Sequence, residues 1–404
     1  MNRFEKHPRL FLGLFLLLLL PLLDLAAGVS YRLVTGHTWH QRLIGTVLDQ
    51  NDYRVSHPLY HHGLIPRISA HSHWGSVRYL IQTNSLGFKD ASTRDVPLEY
   101  DGYRMVFIGD SFTEGLGIPY QETFVGLADA WLRPRGVDVL NAGVATYAPM
   151  IHYRRVRHLL EVEGLRFDEL VVFLDLSDAL DHQTKYAWDA QKEAVVWRLG
   201  GRVSPGEPAR VRLPESWRER WIWGNLLLLE QIRYWIDFRQ RPLWQEYERY
   251  GNTSEARLDR PAAIWTTRET DYGQPGLESM TRFMDLLAGV LRERGIRLTV
   301  AVYPWPDQII GEELDSLHVR HWQAWSARQG ADFIDLFPNF IQKRTREETL
   351  ALLDMLFFVG DIHWTAAGHR VVANGLLDYL KKRAAAGDFQ AGTQRHSGGA
   401  TTSR

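Results

Sequence analysis

The stretch Met105–Pro119, "MVFIGDSFTEGLGIP", runs an apolar segment directly into Gly109-Asp110-Ser111 and then into small, polar and glycine residues. Such a run reads as a buried strand that ends in a tight turn leading to a helix. Ser111 is then either a nucleophile presented at a strand end or simply the residue that closes the strand and caps the next helix. The sequence on either side has to decide between these.

Working outward, four more runs share the character of 104–109 "RMVFIG". They are 137–143 "VDVLNAG", 169–175 "ELVVFLD", 296–304 "IRLTVAVYP" and 331–337 "ADFIDLF". Their central residues are apolar on both parities, which suits strands covered on both faces. Between them lie amphipathic stretches: 121–133, 149–164, 277–295, 314–330 and 365–383. Several of these end in Gly after basic residues, a common helix stop. Strand and helix in alternation predict an α/β protein with an open, doubly wound parallel sheet, its ligands at the carboxyl ends of the strands.

The chain of 404 residues is 45% hydrophobic and 24% charged, with a formal net charge of −1. That balance supports a large core and offers no clustered positive excess for nucleic acid. Cysteine is absent, which excludes thiol catalysis, cysteine-based metal sites and disulfides.

At the N-terminus, Arg3, Lys6 and Arg9 precede "FLGLFLLLLLPLLDLAAGV", residues 11–29. Residues 1–28 are expected to be a transmembrane anchor or a signal segment. A spanning helix needs about 20 apolar residues, while the small residues after Leu25 keep a cleavage site open. Basic residues on the leading side put that end in the cytoplasm. The rest would then face the periplasmic or extracytoplasmic side of a bacterial-type inner membrane. Residues 29–100 form a histidine- and aromatic-rich lead-in, 101–384 the α/β domain, and 385–404 a polar, glycine-rich tail expected to be disordered. A Trp-rich insertion at about 182–275 reads as a helical subdomain, a cap over the site or an interfacial helix.

A serine hydroxyl needs a general base, a group to orient that base, and donors for the oxyanion. In "FFVGDIHWTAAGHRVV", Asp361 and His363 sit in the loop before the last helix and have the right chemistry for an oriented base. Gly143, after the second strand, allows close approach of its N–H, and Ser177, after the third, offers a hydroxyl. Taken singly, each has a plainer reading: a turn glycine, a cap, a loop histidine.

Together, "IGDSFTEG", "NAGV" and "DIHWTAAGH" resemble, in order, blocks of the SGNH (GDSL-like) hydrolase superfamily, and "TNSLGFKD" is similar to what precedes the serine in bacterial membrane-associated members. The resemblance implies a flavodoxin-like sheet in three α/β/α layers. It implies Ser111 as nucleophile, His363 as base, Asp361 as its partner, and an oxyanion hole from the N–H groups of Ser111 and Gly143. Two blocks depart from the pattern. Asp175-Leu176-Ser177-Asp178 stands where the family has Gly-x-Asn-Asp, so a hydroxyl replaces the side-chain amide of the oxyanion hole. Asp361-x-His363-Trp364 is similar instead to the spacing in alginate-type O-acetyltransferases.

Tyr303 and Trp305, in "YPWPDQII", are candidates to stack on a sugar ring, with core packing as the alternative. The expected function is a membrane-anchored serine esterase or O-acyltransferase acting on acylated carbohydrate, with no cofactor. The alternative is a catalytically weak or inactive SGNH-like binding or scaffold protein of envelope polysaccharide assembly. His57, His61, His62, His71 and His73 raise a lesser zinc reading, against which solvated loop histidines are the plainer one; no metal is expected.

Overall fold

The structure is a computed structural model that describes residues 8–35, 53–74, 77–197, 274–358 and 361–389. In chain order, helix α1 (Pro8–Thr35) comes first, with Pro21 inside it. Two antiparallel hairpins follow, β1 (Arg54–His57) with β2 (His61–Leu64), and β3 (Ser69–Trp74) with β4 (Val77–Gln82). The α/β body then runs β5 (Tyr103–Ile108), α2 (Ser111–Glu114), α3 (Phe124–Leu132), β6 (Val137–Asn141), α4 (Pro149–His158), β7 (Glu169–Leu174) and α5 (Leu176–Thr184). A small hairpin, β8 (Tyr186–Asp189) with β9 (Ala194–Trp197), closes this part. Beyond it come α6 (Gln274–Glu293), β10 (Arg297–Val302), α7 (Pro306–Ile310), α8 (Leu317–Gln329), β11 (Asp332–Asp335), α9 (Phe337–Phe340), α10 (Arg346–Leu356) and α11 (Ala366–Ala386).

The five expected strands form one sheet in the order β11-β10-β7-β5-β6, every pair parallel. Counted within the sheet, this is the 2-1-3-4-5 arrangement of doubly wound folds. All six residues of β7 are buried, as its unbroken apolar run requires for a central strand. Helices α3 and α11 pack together, while α6 packs against both α4 and α5. The chain reverses its winding between β5 and β7, and the crevice at their carboxyl ends is where such a sheet holds its chemistry.

On α1, Phe15, Leu20, Leu22 and Leu23 are exposed. Among the residues whose side chains are described, no helix is long and apolar enough to cross a membrane; most of the leucine run before residue 19 lies outside that description. Residues 198–273, the bulk of the Trp-rich insertion, and 390–404 of the expected tail also lie outside the described residues.

Candidate active site

The turn after β5 makes Asp110 the N-cap of α2, where Oδ1 accepts the Phe112 N–H at 3.0 Å. Ser111 is thereby the first helical residue, and its own N–H has no acceptor one turn earlier. From 252 residues further along, His363 Nε2 lies 2.8 Å from Ser111 Oγ. On the other side of the ring, Nδ1 lies 2.7 Å from Asp361 Oδ1. A nitrogen facing a carboxylate carries the proton, so Nε2 is left to accept the serine hydroxyl.

A tight loop brings Asp361 and His363 together: the Phe358 N–H donates to His363 O and the Asp361 N–H to Phe358 O, both at 2.9 Å. Asp361 Oδ1 also accepts the N–H groups of Ile362 and His363, at 2.6 and 3.2 Å. Trp364 anchors the loop, its buried ring lying edge-on to Phe112 at 4.6 Å and to Tyr303 at 4.8 Å. A further contact, which spacing gave no hint of, comes from the first hairpins. Trp74 Nε1 donates to Asp361 Oδ2 at 2.5 Å.

Gly143 sits against the serine turn. A Cβ there would come within 2.6 Å of Thr113 Cγ2 and 2.9 Å of the Glu114 nitrogen, so the close approach requires glycine. Its N–H donates to Asn141 Oδ1 at 3.1 Å. Ser177 donates its hydroxyl to Asp175 Oδ1 at 2.7 Å, with Asp110 Oδ2 more distant at 3.5 Å. At rest, therefore, two of the expected oxyanion donors are already given to side chains, because Asn141 and Asp175 close Asx-type turns over the ends of their own strands.

The sugar-stacking reading of Tyr303 and Trp305 is corrected. They are 0% and 2% exposed, the Tyr303 hydroxyl donating to Asp110 Oδ1 at 3.1 Å and Trp305 Nε1 to Asp175 Oδ2 at 2.8 Å. Their rings belong to the floor beneath the serine, since β10 lies inside the sheet, covered on its outer side by β11.

Three buried carboxyl groups cluster there. Burial raises Asp110 and Asp178 well above the usual carboxylate range, reinforced in both by the charge of Asp175. Burial raises Asp175 as well, while bonds from Ser177 and Trp305 pull it back. Asp178, the residue that would oppose an oxyanion if it faced the site, instead closes a capping box on the Asp175 N–H at 3.0 Å.

The lead-in braces the same turn from outside. Lys89 of "TNSLGFKD" is buried and donates to the carbonyls of Gly115 and Ile118 at 2.7 and 2.5 Å. Burial pulls its amine down to about 7, opposed by Glu114. Glu114 in turn accepts from Arg54 Nη2 at 3.0 and 3.1 Å and from the Ala145 N–H at 2.6 Å. Among the described residues no group of three or more His, Asp or Glu is arranged to hold a metal ion; the His73 side chain lies outside them.

Residues 264–403 match the family model described as the SGNH hydrolase-like domain of the acetyltransferase AlgX. That segment of the chain is similar to an SGNH hydrolase-like domain. The match spans about a third of the sequence and includes Asp361 and His363, while Ser111 lies before it. No curated protein matches the chain. Similar solved structures include a putative lipolytic protein of the G-D-S-L family from Desulfitobacterium hafniense, at 11% identity over 68% of this chain and 97% of that one, with a TM-score of 0.35. A lipase/acylhydrolase from Enterococcus faecalis has 13% identity over 70% and 96%, TM-score 0.34. A variant of the acetylxylan esterase Axe2 from Geobacillus stearothermophilus has 12% identity over 70% and 95%, TM-score 0.35. The fold joins a serine at the first strand end, outside the matched residues, to a histidine in the last loop, within them.

Proposed function

We propose that this protein is a serine-dependent esterase or O-acyltransferase that acts on acylated carbohydrate through an acyl-serine. The observation that carries the reading is the unbroken relay from Ser111 Oγ to His363 Nε2 at 2.8 Å and from His363 Nδ1 to Asp361 at 2.7 Å. In the reaction, Ser111 Oγ bonds to the acyl carbon while its proton passes to Nε2. That proton then leaves with the departing alcohol. Water or a sugar hydroxyl, deprotonated by the same nitrogen, resolves the acyl-serine and restores Ser111. The Ser111 N–H is the donor that the resting geometry leaves for the oxyanion. Gly143 and Ser177 would join it on release from Asn141 and Asp175. The carbohydrate sense rests on the resemblance of Asp361-x-His363-Trp364 to the spacing of alginate-type O-acetyltransferases.

The occupied donors favour a second reading, a catalytically weak scaffold, since the loss of one oxyanion donor costs roughly 10²–10³ in rate. One experiment separates the two. The full chain in detergent is given an aryl acetate and a serine-directed organophosphonate. The enzyme reading expects turnover and labelling at Ser111, both lowered by about 10³ or more in Ser111→Ala; neither in the wild type would leave the scaffold. Acetylated oligosaccharide formed only when acceptor is supplied assigns transfer over hydrolysis.

The same reading takes α1 as a single-pass anchor of a bacterial-type inner membrane, with the site on the extracytoplasmic side. Its outward-facing leucines and the basic residues before it support this. Release from membranes by salt alone, without detergent, would overturn the anchor.

A further inference from the structure

We infer that Trp74 is a positioning residue for the acid–base pair, holding Asp361 in the rotamer that meets His363; this rests on the proposed reading of the Ser111 site. Trp74 ends β3, in a hairpin that is no part of the parallel sheet. Its indole N–H donates to Asp361 Oδ2 at 2.5 Å while Oδ1 receives His363 Nδ1 at 2.7 Å. The carboxylate is thereby gripped on both oxygens from different elements. Rotation about the Asp361 side chain would have to break the indole bond along with the one to the imidazole.

The indole touches the base as well. Its ring stands edge-on to the His363 ring at 4.7 Å, with Phe112 tilted against the same ring at 5.1 Å. The imidazole is therefore wedged between an aromatic of the lead-in and one of the serine helix. Gly117 opens the space for this. Its φ of +79° is one that other residues rarely adopt, and a Cβ there would lie 3.2 Å from Trp74 Cβ and 2.7 Å from the Phe358 ring.

A group that orients a ligand or base from behind typically matters by about ten- to a hundredfold, as the partners of metal-bound histidines do. The lead-in thereby becomes part of the reacting unit.

The test compares Trp74→Phe, which keeps an aromatic ring and loses the donor, with Trp74→Gln, which loses the ring but carries an N–H three bonds from Cβ, as the indole does. In the full chain, Trp74→Phe is expected to lower kcat about ten- to a hundredfold with KM within about twofold. Trp74→Gln should recover part of kcat. If damage to packing were the cause, the order would reverse, Gln falling below Phe, and the inference would fail. It would fail too if Trp74→Phe kept the wild-type kcat, the sign of an indole that does not hold the carboxylate. The low-field proton resonance of His363 Nδ1–H reads the hold without turnover. Its loss in Trp74→Phe and return in Trp74→Gln would uphold the positioning role even if the wild type proved inactive, and its persistence in Trp74→Phe would overturn it.

Discussion

The floor of the site sets three carboxyl groups, Asp110, Asp175 and Asp178, so close together that they cannot all be ionised at ordinary cost. Their partners differ. Asp175 takes the Ser177 N–H at 2.8 Å, the Ser177 hydroxyl at 2.7 Å and the Trp305 indole at 2.8 Å, a donor set suited to a carboxylate. Asp110 takes Tyr303 and Phe112 on one oxygen, and burial raises it well above the usual range. An amide preserves an acceptor for those two donors. A group raised in this way adds stability below its unfolded value of about 3.9 and loses it as pH climbs through the folded value. Asp110→Asn is therefore expected to be at least as stable as the wild type at pH 8 and to lose ground to it toward pH 4. Asp175→Asn, which sets an NH₂ against donors, should lose about 2–4 kcal/mol at both. Urea unfolding at the two pH values checks this; equal losses in both variants would count against the assignment. Ser111, Asp361 and His363 were legible because each stands in a motif with its own chemistry. The roles of Trp74, Tyr303 and Trp305 were not, because they depend on which indole or phenol meets which carboxylate across the fold, and spacing along the chain carries no trace of that.

Among the elements, all five strands of the sheet were readable, since a run that is apolar on both parities has few other stable destinations. Helix α5 was hidden because its first turn reads as the polar end of β7; its capping box pairs Asp175 with Asp178, not the more familiar Ser or Thr with Glu. Helix α10 did carry the familiar signal, Thr345 with Glu348, and that box is formed. At the opposite end of the strands from the site, α11 is tied to β7 by Arg383, whose Nη1 donates to both oxygens of Glu169 at 2.8 and 2.7 Å. Tyr103 and Thr299 donate to the same carboxylate, so β5, β7, β10 and α11 meet at one buried charge. Removing one partner of a buried pair typically costs about 3–5 kcal/mol. Glu169→Gln should lose about that much in urea unfolding. Because β7 separates this knot from the site by roughly 17 Å of strand, esterase activity below the new melting point should stay within about twofold of wild type. A large loss of activity in folded protein would mean that the two ends of the sheet are coupled.

For the whole molecule, the doubly wound topology followed from alternation alone, whereas the packing of the lead-in hairpins against the serine turn did not. Their strands are four to six residues long and rich in His, and they find their place through buried ion pairs such as Arg54 with Glu114, which no local pattern announces. Burial of ionisable groups on this scale makes stability depend on pH. His152 on α4, His318 on α8 and His369 on α11 are all at most 1% exposed. Burial depresses them to about 3, 4 and 3 respectively. A depressed histidine accepts a proton in the unfolded chain below about 6.5 but refuses it in the fold, so each one costs stability as pH falls from that value to its folded one. Asp181, raised to about 6 by burial, opposes them over part of the range, since it binds its proton in the fold before the unfolded chain does. His152 isolates the effect. Neither of its ring nitrogens has a hydrogen-bond partner among the described residues, and its depression comes from burial and then from His182. Replacing it by leucine removes one refused proton, about 1.4 kcal/mol per pH unit below 6.5. His152→Leu should therefore match or exceed wild-type stability at pH 7.5 and lose about 2–3 kcal/mol less than the wild type between pH 7.5 and 4.5 in urea unfolding. Parallel losses in the two proteins would mean that this ring accepts its proton inside the fold.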